Sequence, residues 1–204
     1  MQAQEQQQIS PAEYLAGERE AEIRHEYFAG EVFAMAGASR EHNLIATNIV
    51  RLLGNQLLDK SCSVFASDMK VKVKKKEKYS YPDIVVVCEQ EEYEDEHNDV
   101  LLNPVVLIEI LSDSTEAYDR GDKFSHYQGI SSFTEYILVS QYTFKMERFS
   151  RQPNNSWLYT IYQSKEDILS VEAIKCSLPL AEVYRKVQFS RDGSRTVRTL
   201  SNNF

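Results

Sequence analysis

Long hydrophobic runs are missing from this 204-residue sequence. No stretch approaches the roughly 18 apolar residues that a membrane-crossing helix needs. The polar segment Met1 to Gln8 also lacks the basic start and apolar stretch of a signal peptide. We therefore expect neither a membrane span nor a signal peptide. Internal repeats and low-complexity linkers are absent too, so the length suits one domain with a sizeable core.

Cysteine is scarce and odd in number. The three residues, Cys62, Cys88 and Cys176, are scattered and lack the spacing of a zinc site. This pattern favours free thiols in a reducing cytoplasm over a disulfide framework. The sequence therefore predicts a cytoplasmic protein.

Positive charge is in deficit, with 23 Lys and Arg against 31 Asp and Glu and a net charge of -8. Such a balance argues against a protein that coats DNA by charge alone. One local exception is a run of lysines over residues 70–78, followed by an acidic tract over residues 89–99. The lysine run is typical of a solvated hairpin, or it could bind phosphate groups through Lys72 and Lys74. The acidic tract is expected in a solvated loop between two strands.

Capping residues and periodicity predict the main elements. Ser10, Pro11 and Glu13 predict a short helix to about Glu20, and Ser39 predicts the start of a long amphipathic helix. Asp113 is expected to cap another helix that ends near residue 129. The remaining expectations are a hairpin at 24–35, strands at 69–73, 81–87, 105–111, 135–140, 145–149, 157–162 and 171–174, and a short helix at 180–187.

Two of these strands each carry one carboxylate inside an apolar run. The runs are Tyr81–Val87, which contains Asp83, and Val105–Leu111, which contains Glu109. Apolar, β-branched runs of this kind predict central strands covered on both faces. A carboxylate in such a place is costly unless it is paired or bound to a metal. An ion pair or an exposed strand end explains either residue alone, whereas the two together favour a shared site.

The two carboxylates predict a magnesium site. Asp83 and Glu109 could hold one divalent cation together with a backbone carbonyl near Ile110 and several waters, which is the sparse set that Mg²⁺ prefers. Such an ion lowers the pKa of bound water and offsets phosphate charge. A nearby lysine would position or deprotonate the water, or stabilise charge in the transition state.

The motifs form an ordered series along residues 10–187. They are Gly30-Glu31-Val32 with Met35, Glu41-His42, Tyr81-Pro82-Asp83, Glu109-Ile110-Leu111-Ser112, Ser114-Thr115, Tyr118-Asp119-Arg120-Gly121-Asp122-Lys123, Glu135-Tyr136 and Leu178-Pro179-Leu180. The chain thereby resembles the restriction-endonuclease-like nucleases, defined by Pro-Asp, a variable gap and Asp/Glu-any-Lys. More narrowly, it resembles the bacterial family described as putative restriction endonucleases, which is numerous in photosynthetic bacteria.

The third motif position departs from that pattern, because Leu111 stands where the superfamily has lysine. The resemblance supports Lys123 on the following helix as the substitute, since its long side chain can reach back over the carboxylates. Pairing with Asp119 at i-4 explains Lys123 equally well. His42 matches a recurrent family histidine, which implies a substrate contact, with a structural contact at the helix start as the alternative. Glu31 could join the metal, although an exposed hairpin position suits it better.

The resemblance implies an α/β fold with a mixed central β-sheet flanked by helices and additional antiparallel strands toward the C-terminus. We expect this domain over residues 10–189, between a disordered tail at 1–9 and a polar tail at 190–204. The implied activity is hydrolysis of phosphodiester bonds in DNA with Mg²⁺ or Mn²⁺. A nuclease-fold binding protein without catalysis and a hydrolase of small phosphate esters remain alternatives. Oligomeric state stays open, with a homodimer as one alternative.

Overall fold

The two apolar runs that carry Asp83 and Glu109 form neighbouring strands in the computed structural model, which describes residues 8–189. The helices are α1 (Pro11–Glu20), α2 (Arg40–Leu57), α3 (Glu116–Tyr118), α4 (Phe124–Tyr127) and α5 (Leu180–Val183), with a π-helical segment (Asp119–Lys123) between α3 and α4 and 3-10 turns at Lys74–Lys76 and Glu172–Ile174. The strands are β1 (His25–Phe28), β2 (Glu31–Ala34), β3 (Cys62–Ala66), β4 (Lys70–Val73), β5 (Lys78–Ser80), β6 (Ile84–Cys88), β7 (Val100–Leu101), β8 (Val106–Leu111), β9 (Glu135–Ser140), β10 (Met146–Arg151), β11 (Trp157–Tyr162), β12 (Ile168–Val171) and β13 (Cys176–Pro179).

Two mixed sheets make up most of the fold. The six-stranded sheet, called the central sheet below, has the order β11-β10-β9-β8-β6-β3, and only β8 and β9 pair in parallel. The five-stranded sheet, called the front sheet below, has the order β2-β1-β5-β4-β7, and only β4 and β7 pair in parallel. Strands β12 and β13 form a separate antiparallel hairpin. This is the mixed α/β architecture that the sequence predicts.

Both faces of the central sheet are covered, as its continuous apolar runs predict. On one face, Val86 and Ile108 pack with the buried stripe of α2 and with β12, β13 and α5. On the other face, Val85 and Leu107 pack with β4 of the front sheet and with aromatic side chains of α4 and its neighbourhood. Leu111 belongs to this second core and is buried. Polar groups on this face must therefore find partners inside the protein.

The sequence signals for the first helices and the first hairpin are confirmed. The Ser10 hydroxyl accepts a hydrogen bond from the Glu13 amide in a complete capping box, and the Ser39 hydroxyl accepts one from the His42 amide. Ala29 and Gly30 turn the hairpin with positive φ angles of 47° and 96°. A conformation of this kind favours glycine, which explains Gly30 but not Ala29.

Three expectations about elements are wrong. Asp113 does not cap a helix, since its amide donates to the Tyr142 hydroxyl and helical structure begins only at α3. The strand expected at 171–174 is instead the end of β12 and a 3-10 turn. The disorder expected up to residue 9 is wrong for Ile9, whose amide donates to the Gly30 carbonyl and whose carbonyl accepts a hydrogen bond from the Tyr27 hydroxyl. Residues 1–7 and the expected tail at 190–204 lie outside the described residues.

The acidic tract is not simply a solvated loop. The Arg19 guanidinium lies 2.8 Å from carboxylate oxygens of both Asp95 and Asp99. Asp99 also accepts a hydrogen bond of 2.9 Å from Lys70, and the Lys72 ammonium group pairs with Glu94. The sequence analysis missed this because the parallel pairing of β4 with β7 brings the two charged segments together. Part of the lysine run is thus neutralised by the acidic tract.

A disulfide joins Cys62 and Cys88, so the expectation of free thiols is wrong for these two residues. They are directly opposite each other in the antiparallel pairing of β3 with β6. Strand β3 was not recognised in the sequence, and without it the two cysteines have no reason to meet. Cys176 is free and buried. Within residues 8–189, none of the helices is long and apolar enough to cross a membrane.

The Asp99 cluster predicts an acid-dependent loss of stability. Arg19 and Lys70 hold the pKa of Asp99 well below its usual range. A depressed pKa stabilises the fold at pH values above the unfolded-state pKa near 3.9, and this contribution is lost as the pH falls through the folded-state value. Asp99→Asn should therefore lower the free energy of unfolding by roughly 1–3 kcal/mol at pH 7.

The measurement is urea denaturation of both proteins between pH 2 and pH 8. The difference between wild type and variant should be constant above about pH 5 and should shrink below about pH 4. A difference that stays unchanged down to pH 2 would contradict the assigned role of Asp99.

Candidate active site

Asp83 and Glu109 are cross-strand neighbours on one face of the central sheet. The register of β6 and β8 pairs Ile84 with Ile108, and one step further along the same ladder Asp83 is opposite Glu109. Directly opposite residues of antiparallel strands project from the same face. The Asp83 amide also approaches the Glu109 Oε2 atom to 3.4 Å. The two carboxylates therefore lie on the same face of the sheet, which a shared metal site requires.

The Asp83 carboxylate is oriented through one of its two oxygens. Its Oδ2 atom accepts a hydrogen bond of 2.7 Å from the Ile110 amide and lies 3.1 Å from His42 Nε2. No hydrogen bond to Asp83 Oδ1 is present within residues 8–189. His42 belongs to the first turn of α2 and is placed there by the Ser39 cap. The histidine therefore lies in the site, where its contact is with Asp83.

Glu109 is buried and is matched by a buried cation. Its side chain is 3% exposed, and its Oε1 atom lies 2.9 Å from Lys123 Nζ. The Tyr127 hydroxyl donates a second hydrogen bond of 3.2 Å to the same oxygen. Burial raises the pKa of Glu109 well above its ordinary value, against the opposing effect of the Lys123 charge. Among the residues that the structure describes, Glu109 Oε2 has only the long contact with the Asp83 amide.

Lys123 lies among three carboxylates. Besides Glu109, its Nζ atom is 3.4 Å from Glu26 Oε1 and 3.4 Å from Asp119 Oδ1. Burial acts to lower the pKa of Lys123, but these carboxylates outweigh it and raise that pKa well above its ordinary value. Both predicted interactions are therefore observed, since Lys123 reaches back over the strand carboxylate and also pairs with Asp119.

The helical stretch that contains the π-helical segment between α3 and α4 supplies several groups of the site. Asp119 and Lys123 are its first and last residues, and both side chains are buried. Tyr127, four positions further, contacts the same Glu109 oxygen as Lys123. Short π-helical insertions widen a helix locally and occur frequently at functional sites. Here the segment places the Asp119 carboxylate and the Lys123 ammonium group in the site.

Glu26 of the front sheet is the functional residue that the sequence analysis missed. Its carboxylate accepts hydrogen bonds from the Tyr81 amide at 3.2 Å and from the Tyr118 hydroxyl at 3.3 Å. Lys78 Nζ lies 4.0 Å from it and 4.5 Å from the centre of the Tyr118 ring. Burial lowers the pKa of Lys78 to about 8. No sequence signal separated Glu26 from Glu31, or Lys78 from the rest of the lysine run.

The site forms part of the wall of a cleft of about 570 Å³ between the two sheets. Its charged lining residues are Arg24, Glu26, Asp83, Glu109, Asp119 and Lys123, and its aromatic lining residues are Phe33, Tyr81, Tyr118 and Tyr142. The start of α2, including His42, completes one wall. A volume of this size lies within the range of pockets that enclose small ligands.

Four residues from the sequence analysis lie outside this cleft. Leu111 is part of the apolar core. Lys72 is paired with Glu94, and Lys74 begins an exposed 3-10 turn, and neither lysine lines the cleft. Glu31 is exposed on β2. Leu111 is buried in the core, and the other three residues are exposed or paired elsewhere, so none of the four contributes a group to the cleft.

The donor set suits a hard cation with few protein ligands. The available atoms are Asp83 Oδ1, Glu109 Oε2 and the Ile110 carbonyl, which faces the same side of β8 as the Ile110 amide bonded to Asp83. Among residues 8–189, no group of three or more His, Cys, Asp and Glu side chains is arranged to bind a metal. Two carboxylates with a carbonyl and waters fit Mg²⁺, which retains much of its water shell.

Residues 11–181 match the model of the Uma2 family, which is described as putative restriction endonucleases. The chain belongs to this family. The resemblance drawn from the sequence motifs is thereby confirmed. The matched region includes every residue placed in the cleft above.

Cyanobacterial relatives support the same assignment. The chain is 34% identical over 152 residues to the uncharacterised protein sll1609 of Synechocystis sp., covering 74% of this chain and 86% of that protein. It is 33% identical over 181 residues to the uncharacterised protein slr1290 of the same organism, covering 89% and 94%.

A solved structure confirms the fold. The crystal structure of a putative nuclease belonging to DUF820 from Anabaena variabilis superposes with a TM-score of 0.72 at 16% sequence identity. The match covers 86% of this chain and 97% of that protein. At this identity the likeness concerns architecture, and it confirms the predicted α/β fold with a mixed sheet flanked by helices.

Replacement of Lys123 should show how strongly the buried carboxylates depend on one cation. Lys123→Met leaves Glu109 and Asp119 buried without their positive partner, which is expected to lower the free energy of unfolding by about 3–5 kcal/mol. The measurement is urea denaturation in a buffer containing a metal chelator, so that no bound cation compensates.

The matched control is the double variant Lys123→Met with Glu109→Gln, which also removes one carboxylate charge. It should recover a substantial part of the lost stability. A single variant as stable as the wild type would show that Lys123 does not neutralise the site.

Proposed function

We propose that this protein hydrolyses phosphodiester bonds in DNA with the help of Mg²⁺ or Mn²⁺. The observation that carries this proposal is the cross-strand pair of Asp83 and Glu109, with the Lys123 ammonium group 2.9 Å from Glu109, in the wall of an open cleft. Membership of a family described as putative restriction endonucleases supports the same reaction class.

Asp83 and Glu109 would hold the metal ion together with the Ile110 carbonyl. When bound there, the ion lowers the pKa of a water molecule and offsets the negative charge of the phosphodiester. The Ile110 amide and His42 hold Asp83 Oδ2 in place, which leaves Oδ1 for the ion. Orientation of this kind by surrounding groups tunes metal ligands and the chemistry that they support.

Lys123 acts as the fixed positive charge of the site. Its contacts with Glu109, Asp119 and Glu26 hold the ammonium group in one position without help from solvent. A preorganised cation of this kind stabilises negative charge that develops during phosphoryl transfer. Lys123 thereby supplies the positive charge that is missing at the motif position of Leu111. Tyr127 helps to fix Glu109 by donating a hydrogen bond to the oxygen that Lys123 also contacts.

Within residues 8–189, few cations line the cleft for binding of the DNA backbone. Lys70 and Lys72 are paired with acidic residues, and the net charge of the chain is -8. Arg24, whose side chain is 40% exposed, is the cleft cation outside the carboxylate cluster. Binding that depends on so few phosphate contacts is screened easily by salt.

The test is cleavage of DNA by the purified full-length chain at low salt with Mg²⁺, with Mn²⁺ and with a chelator. Wild-type protein should cleave only with metal. Asp83→Ala should reduce cleavage by at least about a hundredfold, because a catalytic metal contributes several kcal/mol and each 1.4 kcal/mol is a factor of ten.

Asp122→Ala is the matched control, since Asp122 lies in the same π-helical segment but is exposed. It should retain wild-type activity. Binding of DNA without cleavage under every metal condition would reject the proposal in favour of a nuclease fold that has lost catalysis.

A further inference from the structure

Two exposed aromatic side chains lie at the mouth of the cleft. Phe33 on β2 is 50% exposed, and Tyr142 in the loop after β9 is 43% exposed. Both line the same cleft as Asp83 and Glu109. Large apolar surface is normally removed from water, so two exposed rings beside a polar site require an explanation.

Both rings are fixed to elements that build the site. Phe33 is directly opposite Glu26 in the pairing of β1 with β2, so it is attached to the strand whose carboxylate contacts Lys123. The Tyr142 hydroxyl accepts a hydrogen bond of 3.1 Å from the Asp113 amide, and its own amide donates to the Ser140 hydroxyl. The Tyr142 ring is therefore held through its hydroxyl and Phe33 is fixed through its backbone before any ligand binds, which lowers the entropic cost of stacking.

In the part of the chain that the structure describes, the lining of the cleft has too few free cations to bind a duplex along its backbone. Arg24 is paired with Asp68, and Lys123 is surrounded by carboxylates. A protein that holds double-stranded DNA through its backbone neutralises many phosphates. Stacking on aromatic rings needs no positive charge, and it is the recurrent way in which proteins bind unpaired bases.

We propose that Phe33 and Tyr142 stack on unpaired bases and that the substrate of the cleft is single-stranded DNA. The assignment rests on the proposed function and narrows it to one class of DNA. In a duplex the faces of each base are covered by neighbouring pairs, so the rings can stack only on bases that are already unpaired or flipped out.

The first experiment measures binding without chemistry. Fluorescence anisotropy in chelator compares an eight-nucleotide single strand, the same strand with abasic sites, and a hairpin duplex. Wild-type protein should prefer the intact single strand. Phe33→Ala and Tyr142→Ala should each weaken its binding by at least about fivefold, since stacking contributes a factor of this size or more per base.

Matched variants separate stacking from general damage. Tyr159→Ala removes an aromatic side chain that is 47% exposed but lies on β11, outside the cleft, and it should bind as the wild type does. Phe33→Tyr and Tyr142→Phe keep a ring at each position and should retain binding. The abasic strand should bind more weakly and should be insensitive to either alanine variant.

Several results would overturn the inference. These are equal or tighter binding of the duplex, equal binding of the abasic strand, wild-type affinity in both alanine variants, and no binding of any oligonucleotide. Cleavage with Mg²⁺ is scored separately. Cleavage of duplex DNA that is unaffected by the two alanine variants would retain the proposed function and reject stacking. The expected binding pattern without cleavage would reject the nuclease and retain stacking.

Discussion

The burial of the Glu109 carboxylate is the constraint on which the rest of the site depends. It lies on a central strand between Leu107 and Leu111, on a face covered by the second apolar core. A carboxylate in this position is tolerated only with a close cation and further hydrogen bonds. Lys123 supplies the cation and Tyr127 the hydrogen bond. The helix that follows β8 must therefore present both residues to the same point of the sheet.

The lysine that meets this requirement is itself buried. A buried lysine that faced only one carboxylate would have little to offset its own desolvation. The π-helical segment begins with Asp119 and ends with Lys123, and Glu26 approaches from the front sheet. The resulting cluster contains more carboxylates than cations. An acidic cluster of this kind would favour a divalent ion, because the charge of the ion would offset the excess of carboxylates.

The sequence indicated the positions of Asp83 and Glu109 better than it predicted their surroundings. Asp83 and Glu109 interrupt apolar runs, and this local signal can be recognised without knowledge of the fold. The capping residues of α1 and α2 are local signals in the same sense. Glu26 and Lys78 reach the site only because β1 and β5 pair with each other in the front sheet. The disulfide and the pairing of Lys72 with Glu94 likewise depend on strand neighbours. Long-range pairing of this kind leaves no mark in a single sequence.

The position of the site between two sheets links its chemistry to the stability of the whole fold. Glu26 belongs to the front sheet, Glu109 belongs to the central sheet, and Lys123 contacts both carboxylates. The ion pairs that line the cleft are therefore also contacts that connect the two sheets. Substitutions at Lys123 are therefore expected to change both folding and the proposed chemistry, since one charge serves both. Phe33 and Tyr142 differ in this respect, because exposed rings at the rim contribute little to the core and can be removed to test binding alone.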